Sequence, residues 1–154
     1  MYYYSIIIPV FNEISNVNTL LRRLKPFTIK AKNEIIIVDD GSDDGTEVVL
    51  QGTSFIRLYR LENNFGKGFA IRKGISKAKY RRIIIFDGDM ELNPNDIYDL
   101  MILDKTNKIK GVFGYRGKNG SYYNPIWRIG NFIFTGIFNI VNNTDFKDVL
   151  CCAK

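Results

Sequence analysis

Short apolar runs that end on polar residues, with helical patterns between them, constrain this chain more than any other feature. Tyr4–Phe11, Glu34–Asp39 and Arg82–Phe86 are continuous apolar stretches rich in isoleucine. That is the pattern of strands covered on both faces rather than half-exposed ones. A further strand is expected around Phe55–Tyr59. Between the strands, Ser15 or Asn16 is placed to cap a helix carrying Val17, Leu20, Leu21 and Leu24, with a stop near Pro26. A short helix is expected over Thr46–Gln51, and another over Gly68–Lys79 with Phe69, Ile71, Ile75 and Ala78 inward. Pro94 suits the first turn of a helix carrying Ile97, Leu100, Met101 and Leu103. Gly111–Tyr115 reads as a fifth strand, and the segment from Pro125 to Val141 as an amphipathic helix. Strands alternating with helices predict an α/β fold, a mostly parallel sheet with helices on both faces. At 154 residues the chain is long enough for one domain with a real core.

Composition narrows the chemistry. The chain has no histidine, which excludes a Ser-His-Asp triad, a Cys-His pair and His-liganded zinc. A formal charge of +6 favours anionic partners. The charge is uneven: from Lys105 to Thr144 there is no Asp or Glu, while Arg116 and Arg128 fall inside that stretch. Cys151 and Cys152 are adjacent, which suits neither a bridge nor a metal pair and makes a reducing, cytoplasmic setting the expectation. No signal peptide and no uninterrupted membrane span are read in the sequence, so any membrane contact is expected to be peripheral, on the inner face.

In parallel sheets ligands sit outside the carboxyl ends of the strands, and four such ends are polar here. They carry Asn12 and Glu13; Asp39 and Asp40; Asn63, Gly66, Lys67 and Gly68; and Asp87 and Asp89. Each alone is ordinary turn or helix-start chemistry; convergence on one edge is not. No GxGxxG follows the first strand, and Asn64-Phe65-Gly66-Lys67-Gly68 lacks the leading glycine and the Ser/Thr of a P-loop. Two carboxylates two residues apart at a strand end suit one hard divalent cation, Mg²⁺ or Mn²⁺, with diphosphate oxygens completing its shell.

These blocks resemble family 2 glycosyltransferases of the GT-A fold, in order and spacing. They are Ile6-Ile7-Ile8-Pro9-Val10-Phe11-Asn12-Glu13, Ile36-Ile37-Val38-Asp39-Asp40-Gly41-Ser42-Asp43-Asp44-Gly45-Thr46, Asn63-x-x-Gly66-Lys67-Gly68 and Asp87-Gly88-Asp89. The resemblance implies that Pro9, Asn12, Glu13, Asp39, Asp40, Lys67 and Asp87 surround the nucleotide of a GDP- or UDP-sugar. It also implies that Asp87 and Asp89 hold the metal, with Asp89 the firmer ligand and Glu91 a third.

The second half, with Gly114-Tyr115-Arg116, Arg128-x-Gly130-Asn131 and Asp148-Val149-Leu150-Cys151, is similar to the polyprenyl-phosphate group of that family, in which Arg116 and Arg128 would grip phosphate. A lipid phosphate is already anionic and needs no base. A sugar hydroxyl of a glycan would need one, with Asp148 the candidate. A nucleotide-binding fragment without turnover is the third reading, and no nucleic-acid partner is expected. Trp127 and the neighbouring apolar residues suit either a core helix or contact with a bilayer. The expected division is a nucleotide-sugar half, about 1–92, and an acceptor half, about 93–154, that is cut short relative to the family.

Overall fold

The computed structural model describes residues 3–101, 112, 114 and 125–146, with the side chains of residues 30, 31 and 125–128 left aside. The chain divides into two compact units, Met1–Ile102 and Leu103–Lys154. The first holds strands β1 (Tyr4–Val10), β2 (Glu34–Asp39), β3 (Arg57–Arg60) and β4 (Arg82–Ile85), and helices α1 (Val17–Ala31), α2 (Thr46–Gln51), α3 (Lys67–Lys77) and α4 (Ile97–Leu100). All four strands are parallel, in the order β3-β2-β1-β4. Crossover helices join them, as parallel pairing requires.

β1 is the axis of this sheet. It pairs with β2 from Ser5↔Glu34 to Val10↔Asp39 and with β4 from Tyr4↔Arg82 to Ile7↔Ile85. Ile6, Ile7, Ile8, Ile36, Ile37 and Val38 are fully buried; fully burying such a side chain contributes roughly 1.5–3 kcal/mol. Ile7, Ile36 and Val38 cluster with Leu61 and Ala70, so strand alternation sends Ile6, Ile8, Ile35 and Ile37 to the opposite face. At the amino edge, Glu34 accepts from the Ser5 hydroxyl at 2.5 Å, from the Lys79 amide and from Arg57 at 2.6 Å. Burial works against its ionisation, yet these donors together hold Glu34 below the usual carboxylate value.

Four expectations are corrected. The first helix does not stop near Pro26 but runs to Ala31 with Pro26 inside it. The missing N–H costs one hydrogen bond. Phe27, fully buried and stacked on Tyr98 at 4.4 Å, outweighs it. The inward side of α3 is not Phe69 and Ile75, which are exposed, but Ala70 and Gly74. A Cβ at Gly74 would lie 2.4 Å from Ile7 Cγ2 and 3.3 Å from Val38 Cγ2, so the helix sits too close to the sheet for anything larger. The segment from Pro94 forms a 3₁₀ turn to Asp96 and then only the four residues of α4. β3 also lies slightly later than expected. Of the fifth strand expected at Gly111–Tyr115 only positions 112 and 114 are described, and neither is in a strand; Leu103 lies outside the described residues.

In the second unit, the Asn139 side chain of α5 (Pro125–Asn142) ties the segment that follows the helix back to its last turn. Its amide donates to the Phe146 carbonyl at 2.8 Å, and its oxygen accepts from Thr144 and from the Phe146 N–H. Thr135 is buried, while Ile129, Phe132, Ile133, Ile137, Ile140 and Val141 are exposed. Among the described residues no helix is long and apolar enough to cross a membrane.

Gly74→Ala should destabilise the fold by about 1–3 kcal/mol through overpacking against Ile7. Urea unfolding should show a lower midpoint at unchanged slope; an unaltered midpoint would mean that the helix is free to lift from the sheet.

Candidate active site

The strand order reverses between β1 and β4, and an open parallel sheet places its ligand crevice at such a switch point. A cleft of about 370 Å³ lies there, lined by Pro9, Val10, Phe11, Glu13, Asp40, Asn64, Gly66, Lys67, Asp87, Gly88 and Asp89. Each of the four polar strand ends contributes to it.

The wall from β2 and β3 is held by two contacts. Asp40 is buried; its amide donates to the Val10 carbonyl at 2.9 Å, and its Oδ1 accepts from the Phe65 amide at 2.9 Å. Gly41 follows at φ +80°, where a Cβ would lie 2.7 Å from the carbonyl carbon of Asn63. Only glycine lets the two loops come this near. The Asn63–Gly66 loop is thereby fixed to the end of β2, with Gly66, at φ +87°, opening α3.

The opposite wall is Asp87-Gly88-Asp89. A Cβ at Gly88 would meet Val10 Cγ1 at 2.6 Å and the Pro9 carbonyl at 3.2 Å, so the glycine keeps both aspartates close against the end of β1. Asp87 is buried and Asp89 exposed. Lys67 Nζ lies 2.6 Å from both Asp87 oxygens. It hydrogen-bonds Oδ2, while Oδ1, equally near but off the donor direction, is buried with no hydrogen bond. Asp89 Oδ1 accepts from the Glu91 amide at 2.9 Å, and Met90 between them adopts φ +62°.

Two predicted residues do other work. Asn12 and Asp39 are not in the cleft lining. Asn12, at φ +54°, pairs its amide side chain with Asp43: Nδ2 donates to Asp43 Oδ1 at 3.0 Å, and Oδ1 accepts from the Asp43 amide at 3.0 Å. Around that pair, three consecutive amides of one loop donate to side chains of the other. Asn12 N–H goes to Ser42 Oγ, Glu13 N–H to Thr46 Oγ1 and Ile14 N–H to Asp44 Oδ2, each at 2.9 Å. Asp39, fully buried, accepts from the Ser42 amide and hydroxyl at 3.0 and 2.5 Å and so shapes the turn that carries Asp40. The Asp39–Thr46 block is therefore largely a clasp between the first two strand ends.

Glu91 is exposed and outside the lining. Arg116 and Asp148 lie outside the described residues, and Arg128 is placed only as a backbone position in α5. Val10, Phe11, Asn64 and Gly88 line the cleft without having been singled out as contacts. Their signal was position alone, next to the polar strand ends.

Four carboxylates (Glu13, Asp40, Asp87 and Asp89) face one ammonium in this lining. A local charge of minus three repels a diphosphate unless a cation enters with it. Among the described residues no three carboxylates gather to hold a metal by themselves. Asp87 and Asp89 fit a divalent cation that keeps open positions for substrate oxygens, and the undonated Asp87 Oδ1 is the kind of oxygen that such an ion takes.

The clasp predicts an acid-sensitive fold. Loss of hydration opposes ionisation of Asp44, but the Thr46 hydroxyl and the Ile14 and Thr46 amides outweigh it and hold the group below its ordinary value. A depressed folded value means that the stabilisation is complete above the unfolded carboxylate range, about 4, and is lost as pH falls through the folded value. Glu34 acts in the same direction. Thermal melts taken downward from pH 6 should fall more steeply for the native chain than for Asp44→Asn. Parallel curves would remove Asp44 from the clasp.

The sequence profile of glycosyl transferase family 2 matches residues 5–153. Dodecaprenyl-phosphate galacturonate synthase of Rhizobium johnstonii is 32% identical over 119 residues, covering 73% of this chain and 35% of that protein. Dolichyl-phosphate beta-glucosyltransferase of Dictyostelium discoideum is 35% identical over 130 residues, covering 74% and 40%. The chain thus spans about a third to two fifths of the length of these two relatives. Among solved structures, a mannosyltransferase from Pyrobaculum calidifontis in complex with GDP-Man and Mn²⁺ superposes with a TM-score of 0.50 at 22% identity, over 56% of this chain and 27% of that one. The fold, the converging strand ends and the profile match agree: the chain belongs to glycosyl transferase family 2 and has the GT-A fold.

Proposed function

We propose that this chain supplies the donor side of a metal-dependent, inverting transferase that moves a sugar from a nucleoside-diphosphate sugar to a polyprenyl phosphate. The observation that carries the reading is the charge of the cleft: four carboxylates and one ammonium at a strand-end crevice. Such a site takes a diphosphate only together with a cation. In this reading Asp40 and Glu13 lie along the nucleoside, Pro9 and Phe11 give it an apolar floor, and Asp87 and Asp89 hold Mg²⁺ or Mn²⁺ at the diphosphate, with Glu91 the adjacent carboxylate. The names of the R. johnstonii and D. discoideum relatives support the acceptor, and the GDP-Man and Mn²⁺ of the P. calidifontis enzyme support the donor and the ion.

The chemistry is a single displacement. An oxygen of the acceptor phosphate bonds to the anomeric carbon as the bond to the donor diphosphate breaks, and the nucleoside diphosphate leaves with the electron pair. Configuration inverts. The bound cation stabilises charge developing on that leaving group. No proton has to move, because the acceptor is already anionic. Arg116 and Arg128, in the stretch without acidic residues, suit that anion, since a guanidinium forms paired hydrogen bonds with phosphate. The exposed apolar residues of α5 suit peripheral contact with the inner face of a membrane, where such a lipid resides.

The direct test incubates the protein with Mn²⁺, labelled GDP- and UDP-sugars, and either a polyprenyl phosphate or a glycan. Label in a chloroform-soluble phosphate diester supports the reading. Label only in glycan moves the acceptor to a hydroxyl, with Asp148 as candidate base.

Two variants divide the site. Asp89→Ala should weaken nucleoside-diphosphate binding about ten- to hundredfold in Mn²⁺, the scale of one charged contact, and change little in EDTA. Equal weakening in both would remove Asp89 from the cation. Arg128→Lys should lower polyprenyl-phosphate affinity about ten- to hundredfold and leave donor affinity unchanged, because an ammonium cannot reproduce the fork. Equal loss for both ligands would make Arg128 a residue of the fold.

A further inference from the structure

Lys67 sits where the cleft chemistry places a metal. Its ammonium is 2.6 Å from both oxygens of Asp87, a carboxylate whose side chain is only 8% exposed, while the lysine side chain is 47% exposed. A buried carboxylate stripped of any cation is costly. In the absence of a divalent ion the lysine is the positive charge set against Asp87 inside the wall. The lysine's own position argues that the contact is exchangeable. Lys67 is the first residue of α3, at the end of the helix that disfavours a cation and favours an anion. Its four-carbon stem is flexible and open to solvent, and Asp87 draws the head group inward.

We propose that Lys67 is a resident counter-cation that competes with the divalent ion for Asp87 and passes to the donor diphosphate when that ion enters. The inference rests on the donor-site reading above and extends it to the order of events. Without nucleotide, Asp87 is covered and the metal binds weakly. When a nucleoside diphosphate arrives with its cation, the cation takes the Asp87 oxygens. The displaced ammonium then finds phosphate oxygens at the amino end of α3. A simple exchange of ionic partners is involved, and no bond or proton is made or lost.

The test compares Mn²⁺ affinity, measured by calorimetry without nucleotide, in the native protein, Lys67→Met, Lys67→Gln and Lys73→Met. Lys73→Met removes the same charge from α3 at a residue that forms no ion pair with Asp87, so it reports the through-space effect alone. Both Lys67 variants should bind Mn²⁺ at least tenfold more tightly than the native chain and than Lys73→Met. At saturating Mn²⁺ the same two variants should bind GDP or UDP at least tenfold more weakly than the native chain, with nucleoside affinity unchanged. Equal Mn²⁺ affinity in the Lys67 and Lys73 variants, or no Mn²⁺ binding by any of them, overturns the exchange. A gain in Mn²⁺ affinity at Lys67 while neither GDP nor UDP binds any variant supports the competition at Asp87 and sinks the donor-site reading instead.

Discussion

The parallel register of β1 between β2 and β4 is the constraint on which the site depends. Ile7 pairs with Ile36 on one side and Ile85 on the other, so three strands reach their carboxyl ends side by side. Glu13, Asp40 and Asp87 are thereby delivered to one cleft. A one-residue slip of either partner would turn its side chains to the wrong face. A slip of β4 would also separate Gly88 from the Val10 side chain and the Pro9 carbonyl that it is shaped to meet. The burial of the isoleucines and the geometry of the site are in this sense one fact. The core that holds the sheet together is also what aligns the carboxylates.

Around that register the loops are fixed by small, directed contacts rather than by bulk. Two strand ends are joined by side chains of Ser42, Asp43, Asp44 and Thr46 that accept from, or pair with, the Asn12–Ile14 segment. The third is held by the Phe65 amide on Asp40. Hydroxyls and short carboxylates suit this task because they satisfy backbone donors at loop distance without filling the cleft.

The strands were legible because continuous runs of isoleucine admit few other readings, and the convergence of polar residues on one edge followed from parallel topology alone. Resolution was lost at two kinds of place. Tertiary contact overrode local signals: burial of Phe27 carried α1 past Pro26, and close approach to Ile7 turned α3 onto Ala70 and Gly74 rather than its larger apolar residues. At the site, residue type alone did not separate binding from bracing. Asp39 and Asp40 are adjacent and chemically identical, yet one is consumed by the turn and the other lines the cleft. Asn12 likewise spends its side chain on Asp43. Nothing in a linear string says which neighbour claims a hydrogen bond thirty residues away. Charge was misleading in a similar way: a chain of net +6 keeps an acidic cleft, so the net charge says nothing of the sign at that place.

The central claim is that the donor nucleotide occupies the cleft between the ends of β1 and β4. Amide chemical shifts of ¹⁵N-labelled protein, followed during titration with GDP or UDP in Mg²⁺, test it most directly. The account predicts that the largest changes fall on Phe11, Asp40, Phe65, Gly66, Gly88 and Asp89, while the amides of Lys79 and Tyr80 at the opposite edge of the sheet stay in place. Shifts concentrated at that opposite edge, with the Asp87–Asp89 amides unmoved, would contradict it.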